Sequence, residues 1–166
     1  MLTMIQTVHS VRERALGLLH RLAWVGPLLV RLTLGVVFAV TGWGKLHSLD
    51  NVTEFFASLH IPAPGIQAAV VSTIEFAGGL LLIAGLGTRI VSALLIGVMT
   101  VAILTAKLPD LHGIVDLANT IELTYLVMFV WLVVSGAGAV SLDHLIARRT
   151  GEGVANREAG RFTERS

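Results

Sequence analysis

Four long apolar runs, separated by short polar clusters, dominate the chain. A helix needs about 20 apolar residues to cross the hydrocarbon core of a bilayer. Residues 25–46, 66–86, 89–106 and 117–138 reach or approach that length. The pattern predicts an all-α fold: an integral membrane four-helix bundle. The second and third runs are joined by Gly85-Leu86-Gly87-Thr88-Arg89, whose two glycines and arginine predict a tight antiparallel turn at the membrane surface. The other connections are longer, at 47–65 with Pro62 and Pro64, and at 107–116 with Pro109 and Gly113.

Ahead of the first run, Ile5, Val8, Val11, Ala15, Leu18, Leu19 and Leu22 recur at helical spacing, with Thr7, Ser10, Arg14 and Arg21 between them. Residues 1–24 are expected to form an amphipathic helix lying in the interface, or a polar-side extension of the first span. Residues 25–143 make the transmembrane domain. Residues 144–166 lack a hydrophobic pattern and are expected to form a disordered tail. The first run, 24–46, is too long for a signal-peptide core and no small-residue cleavage site follows it, so it is expected to stay as an anchor.

Charge sets the orientation. Of the 12 Lys and Arg residues, only Lys45 and Lys107 fall in one set of connections. The remaining ten, Arg31 and Arg89 among them, fall on the side of the termini. Cytoplasmic loops carry such an excess, so both termini are expected in the cytoplasm. Asp50, Glu54, Asp110 and Asp116 fall on the outer side. A hydrophobic fraction of 54% against 14% charged residues, where soluble domains carry about 25%, agrees with the membrane class. The net charge of +1 gives no sign of a nucleic-acid partner. No cysteine is present, so thiol-relay chemistry would need sulfur from a partner.

Ionised groups inside a span are costly and usually face the bundle interior. Glu75 sits near the middle of the second run, and Glu122 about a turn and a half below the outer surface at 1.5 Å rise per residue. Residues three or four apart share a helix face. That spacing groups Arg31, Gly35, Phe38, Gly42 and Lys45; Ser72, Glu75, Gly78 or Gly79 and Leu82; Ala93, Gly97, Thr100 and Leu104, leading to Lys107; and Asn119, Glu122 and Tyr125. Two readings follow. The acids pair with Lys45 and Lys107 purely to fix helix register, or they line a polar pocket. In the second reading Glu75 and Glu122 are the proton-handling groups, and Lys45, Gly42, Thr41, Asn119, Tyr125, Thr100 and Lys107 bind the ligand. On the other side, Asp143 is expected to pair with Arg31 or Arg89 and tie the end of the fourth helix to the Arg89 turn. His47, His60 and His112 match no zinc spacing, so no metal is expected.

Arg31-Leu32-x-Leu34-Gly35-x-x-Phe38-x-x-x-Gly42-x-x-Lys45-Leu46 resembles the first-helix signature of the DoxX/DoxD family of bacterial membrane proteins. Glu75-x-x-Gly78-Gly79-x-Leu81-x-x-x-Gly85-x-x-Thr88-Arg89 resembles its second. Met99, Glu122 and the ending Gly136-Ala137-Gly138-x-x-Ser141-Leu142-Asp143 extend the resemblance, which covers about residues 30–143. It implies a four-helix bundle in the bacterial inner membrane. It also implies a link to thiosulfate:quinone oxidoreductase, to complexes answering oxidative or thiol stress, or to quinone or catechol detoxification.

Three functions compete. The first is a redox subunit that binds a quinone between helices. Glu75 would relay protons, and Lys45 or Tyr125 would hydrogen-bond a quinone carbonyl. With no cysteine, no haem-ligating histidine pair in a span and no dinucleotide fingerprint, neither metal, haem nor nucleotide is expected. Electrons would come from a soluble or membrane oxidoreductase partner. The second is a non-catalytic anchor for a soluble enzyme. The third is a small transporter, which at this size would call for a homodimer.

Overall fold

The computed structural model describes residues 17, 22–108, 113–149 and 151. The expected interfacial helix therefore lies outside the described residues, apart from Gly17 and the stretch just before the first span. The tail beyond residue 151 does so too. The described chain is all-helical, with seven α-helices and no strand: α1 (Val25–Leu46), α2 (Leu49–Ser58), α3 (Pro64–Ala84), α4 (Thr88–Ala102), α5 (Ile114–Ala118), α6 (Ile121–Ser135) and α7 (Leu142–Arg149). A π-helical turn, Ile103–Lys107, continues α4.

Among the described residues, three helices are long and apolar enough to cross a membrane: Val25–Leu46, Pro64–Ala84 and Thr88–Lys107, with mean hydropathies of 1.8, 1.8 and 2.1. The fourth run folds differently from its expected continuous helix over 117–138. Thr120 adopts an extended conformation (φ −75°, ψ 135°), and its hydroxyl donates to Leu117 O at 2.7 Å. That breaks the run into α5 and α6. Gly136, at φ +75°, ends α6. The 15 residues of α6 rise about 22 Å at 1.5 Å each. Two further stretches carry helices that the sequence reading did not include. The 47–65 connection contains α2, whose Leu49, Val52, Thr53 and Phe56 form a half-buried face packed on α3. Residues 144–149, assigned to the polar tail, are helical, because α7 runs to Arg149.

The core draws on four helices: Leu34 and Phe38 from α1, Leu82 from α3, Val91, Leu95 and Met99 from α4, and Phe129 and Leu132 from α6. Phe38 meets Phe129 edge to face at 5.0 Å and Tyr125 at 5.5 Å, a geometry that aligns ring edges with ring faces. α1 packs most extensively on α3, and α4 on α6. Lipid offers no hydrophobic drive for helices to associate, so close van der Waals approach must do so. Small residues permit it here. A Cβ on Gly79 would strike Ala39 N and come within 2.7 Å of Gly35 O; one on Gly42 would strike Phe76 N.

The turn between α3 and α4 forms as the glycines predict. Gly85 and Gly87 take φ of +70° and +60°. Leu86 N donates back to Leu81 O at 3.0 Å, the six-to-one bond of a Schellman ending.

Candidate functional site

Lys45 stands one residue before the end of α1, at the break leading to α2. Its Nζ donates to Glu75 Oε1 at 2.7 Å and lies 2.7 Å from Oε2, though with hydrogen-bond geometry to Oε1 alone. The Glu75 side chain is 3% exposed and that of Lys45 is 37%. The pair thus joins a buried acid on α3 to a cation that reaches the surface. One turn away on α3, the Ser72 hydroxyl is fully buried and has no hydrogen-bond partner.

A second pair joins α4 to α6. Lys107 Nζ lies 3.3 Å from Glu122 Oε1, and Glu122 Oε2 is buried without a hydrogen bond. The π turn explains how Lys107 gets there. In an unbroken α-helix Lys107 would follow the face of Thr100 and Leu104, both of which are exposed. The π turn, closed by Leu108 N donating to Ile103 O, takes up one extra residue. That residue rotates Lys107 by about 100°, onto the face of buried Leu95 and Met99.

Of the other expected pocket residues, Gly42 packs against the backbone of Glu75 and Phe76. Thr41 is exposed and donates to Val37 O at 2.9 Å; Thr100 is exposed and donates to Ile96 O at 2.8 Å. Asn119 is exposed beyond the end of α5. Tyr125 is half-buried against Phe38. The stripe chosen on α4 faces outward: Ala93, Gly97, Thr100 and Leu104 are all exposed. Its buried face is Thr88, Ser92, Leu95 and Met99, steps of four, three and four that the sequence carried equally well. The Thr88 and Ser92 hydroxyls on that face are buried without partners.

At the opposite end, Asp143 ties the segment after α6 to the turn through backbone N–H groups, and its charge acts on Arg31 without direct contact. Its Oδ1 accepts from Gly87 N at 2.8 Å and its Oδ2 from Thr88 N at 3.1 Å, two of the free N–H groups that open α4. No arginine lies within 4 Å of it among the described residues. Arg31, 2% exposed, instead donates from Nη1 to Ala137 O at 2.6 Å and from Nη2 to Val140 O at 2.7 Å. Those carbonyls lie in the non-helical link between α6 and α7, where no helix bond is available to satisfy them. Arg89 Nη2 donates to Val134 O at 3.4 Å. Of the loop histidines, His47 Nδ1 lies 2.9 Å from Trp43 O, and His112 falls outside the described residues. Among the described residues no three of His, Asp and Glu gather as a metal site would require.

A family model described as DoxX matches residues 26–108. CatD of Bacillus subtilis (strain 168), whose name provisionally makes it an oxidoreductase, is 32% identical over 124 residues, 74% of this chain and 87% of CatD. The Escherichia coli (strain K12) inner membrane protein YqjF is 26% identical over 131 residues, 79% of this chain and 99% of YqjF. Inner membrane protein YphA of the same strain is 27% identical over 121 residues, 70% of this chain and 86% of YphA. No solved structure matches the chain.

Proposed function

The chain belongs to the DoxX family, and from that premise we propose that it is a membrane subunit of a quinone-linked oxidoreductase system. It spans the bacterial inner membrane four times with both termini in the cytoplasm. Two relatives named as inner membrane proteins support the location, and the one-sided arginines support the orientation. The name of CatD supports the redox class.

The observation that carries the reading is the state of Glu75: an acid 2% exposed within a span, held by a lysine whose side chain is 37% exposed. Intramembrane acids in such settings mark proton paths. The residues fit a quinone in kind. A quinone carbonyl is an acceptor, and the three-donor ammonium of Lys45 spends one bond on Glu75 Oε1. The unpartnered Ser72 hydroxyl adds a second polar group beside the acid. A quinone supplies the two-electron, two-proton chemistry. This chain contributes the donor at Lys45 Nζ and a carboxylate at Glu75 able to hold a proton, and a partner delivers the electrons. Binding is tested on purified protein reconstituted with ubiquinone or menaquinone. Wild type is expected to bind one of them, and Glu75→Gln to weaken that binding at least tenfold while remaining folded. Absence of bound quinone, with Glu75→Gln unchanged, sinks the reading.

One observation favours a second reading, a non-catalytic anchor. Both acids already have lysine partners, and Thr41, Thr100 and Asn119 are exposed. An anchor predicts that Glu75→Gln lowers the abundance of the assembled complex and leaves the specific activity of the remainder intact.

A further inference from the structure

At the turn end of the bundle, away from Lys45 and Glu75, a groove of about 560 Å³ opens between the start of α4, the 136–141 link and α7. Arg89, Ile90, Gly136, Ser141, Asp143 and His144 are among the residues that line it. Arg89 is exposed, and its contact with Val134 O, at 3.4 Å, is long, so most of its five N–H donors are unused. The guanidinium lies over Gly136, where a Cβ would come within 3.4 Å of Nε. His144 Nε2 is buried with no hydrogen-bond partner, although the backbone N–H of His144 donates to Ser141 Oγ at 3.1 Å. Asp143 brings a negative charge, but both of its oxygens are engaged by Gly87 N and Thr88 N.

The surroundings are apolar. Ile90 is 71% exposed and Val134 is 74% exposed. On α7, Leu145 and Ile146 are exposed beside Arg148 and Arg149, the mixture of apolar and cationic side chains that suits a lipid headgroup boundary. A free phosphate would satisfy the arginine and leave the apolar rim uncovered. A phospholipid satisfies both, with its phosphate on the cation and its acyl chains along the rim.

We propose that this groove holds the phosphate of an anionic phospholipid, with the Arg89 guanidinium as charge partner and His144 Nε2–H as donor to a second phosphate oxygen. Guanidinium and phosphate match in shape as well as charge, and Arg148 and Arg149 add the positive field that favours a net anionic headgroup. The inference stands apart from the quinone reading, because it shares no residue with it.

The test is native mass spectrometry of the purified full chain, titrated with phosphatidylglycerol and with phosphatidylcholine of the same acyl chains. Wild type is expected to bind phosphatidylglycerol at least fivefold more tightly. Arg89→Gln should abolish that preference, Arg89→Lys should keep part of it, and His144→Ala should weaken phosphatidylglycerol binding about threefold. Inorganic phosphate at millimolar concentration should not displace the lipid. Equal affinity for the two lipids overturns the proposal, as does a full preference in folded Arg89→Gln. If Arg89→Gln does not fold, an undiminished preference in both Arg89→Lys and His144→Ala overturns it. Displacement by inorganic phosphate does so as well, since the site would then serve a soluble anion.

Discussion

Lys45 Nζ lies 2.7 Å from both Glu75 oxygens, and Lys107 lies 3.3 Å from Glu122 with both side chains more exposed than Glu75. These two pairs differ in what they contribute. Removing one partner of a buried pair costs roughly 3–5 kcal/mol, because the other charge is left unpaired. Lys45→Met should fall at the low end, about 3 kcal/mol, since the lysine is partly exposed. Replacing both residues, as Lys45→Met with Glu75→Met, should recover most of that loss. Unfolding in mixed detergent micelles measures both, and additive losses in the double variant would show that the pair is not coupled. Lys107→Met should cost no more than about 1 kcal/mol, as partly exposed pairs do. At this scale the sequence made the acids conspicuous. It could not match each lysine to its acid, because that depends on which helices are neighbours.

Among the helices, α1 and α3 approach closely through Gly35, Gly42 and Gly79, whereas Gly97 on α4 has nothing within 4 Å of a built Cβ. The two glycine classes should therefore respond oppositely to alanine. Gly79→Ala puts a methyl into the Ala39 and Gly35 backbone and should destabilise by about 1–3 kcal/mol or more. Gly97→Ala meets only lipid-facing space and should be neutral or stabilising by at most about 1 kcal/mol, the helix-propensity difference. A comparison of melting temperatures in detergent checks both, and equal losses at the two positions would refute the assigned faces. Helical spacing identified the α1 stripe correctly and the α4 stripe wrongly. On α4 the buried face of Thr88, Ser92, Leu95 and Met99 is as periodic as the stripe read from the sequence, and small residues suit a lipid face as well as a packed one. The π turn was not legible either, because its single extra residue leaves no mark in composition.

For the molecule as a whole, α6 is shorter than the three helices long enough to span. Its 15 residues rise about 22 Å, short of a hydrocarbon core of about 30 Å; thinning of the bilayer or snorkelling of flanking residues can absorb such a mismatch. The chain has no cysteine, so single cysteines report side directly. With four crossings, a membrane-impermeant maleimide should label Asn51→Cys from outside, and should label Arg149→Cys only after permeabilisation. Labelling of both from the same side would mean three crossings and would remove the cytoplasmic C-terminus from the proposed topology.

Hydropathy by itself determined that the chain is helical and belongs in a bilayer, and it placed the first span at the residues where α1 begins and ends. It could do so because crossing lipid is a requirement on composition and length, which every segment meets alone. The glycine turn was legible for a similar reason, since positive φ is a local demand. Tertiary structure alone decided that Asp143 binds backbone N–H groups while Arg31 takes the carbonyls of the 136–140 link. It also decided that the fourth run breaks at Thr120, and that Lys107 turns inward. The Asp143, Arg31 and Lys107 contacts depend on polar groups separated by many residues finding one another in a medium without water, and no local pattern encodes that choice; the Thr120 break is closed locally, by its hydroxyl on Leu117 O.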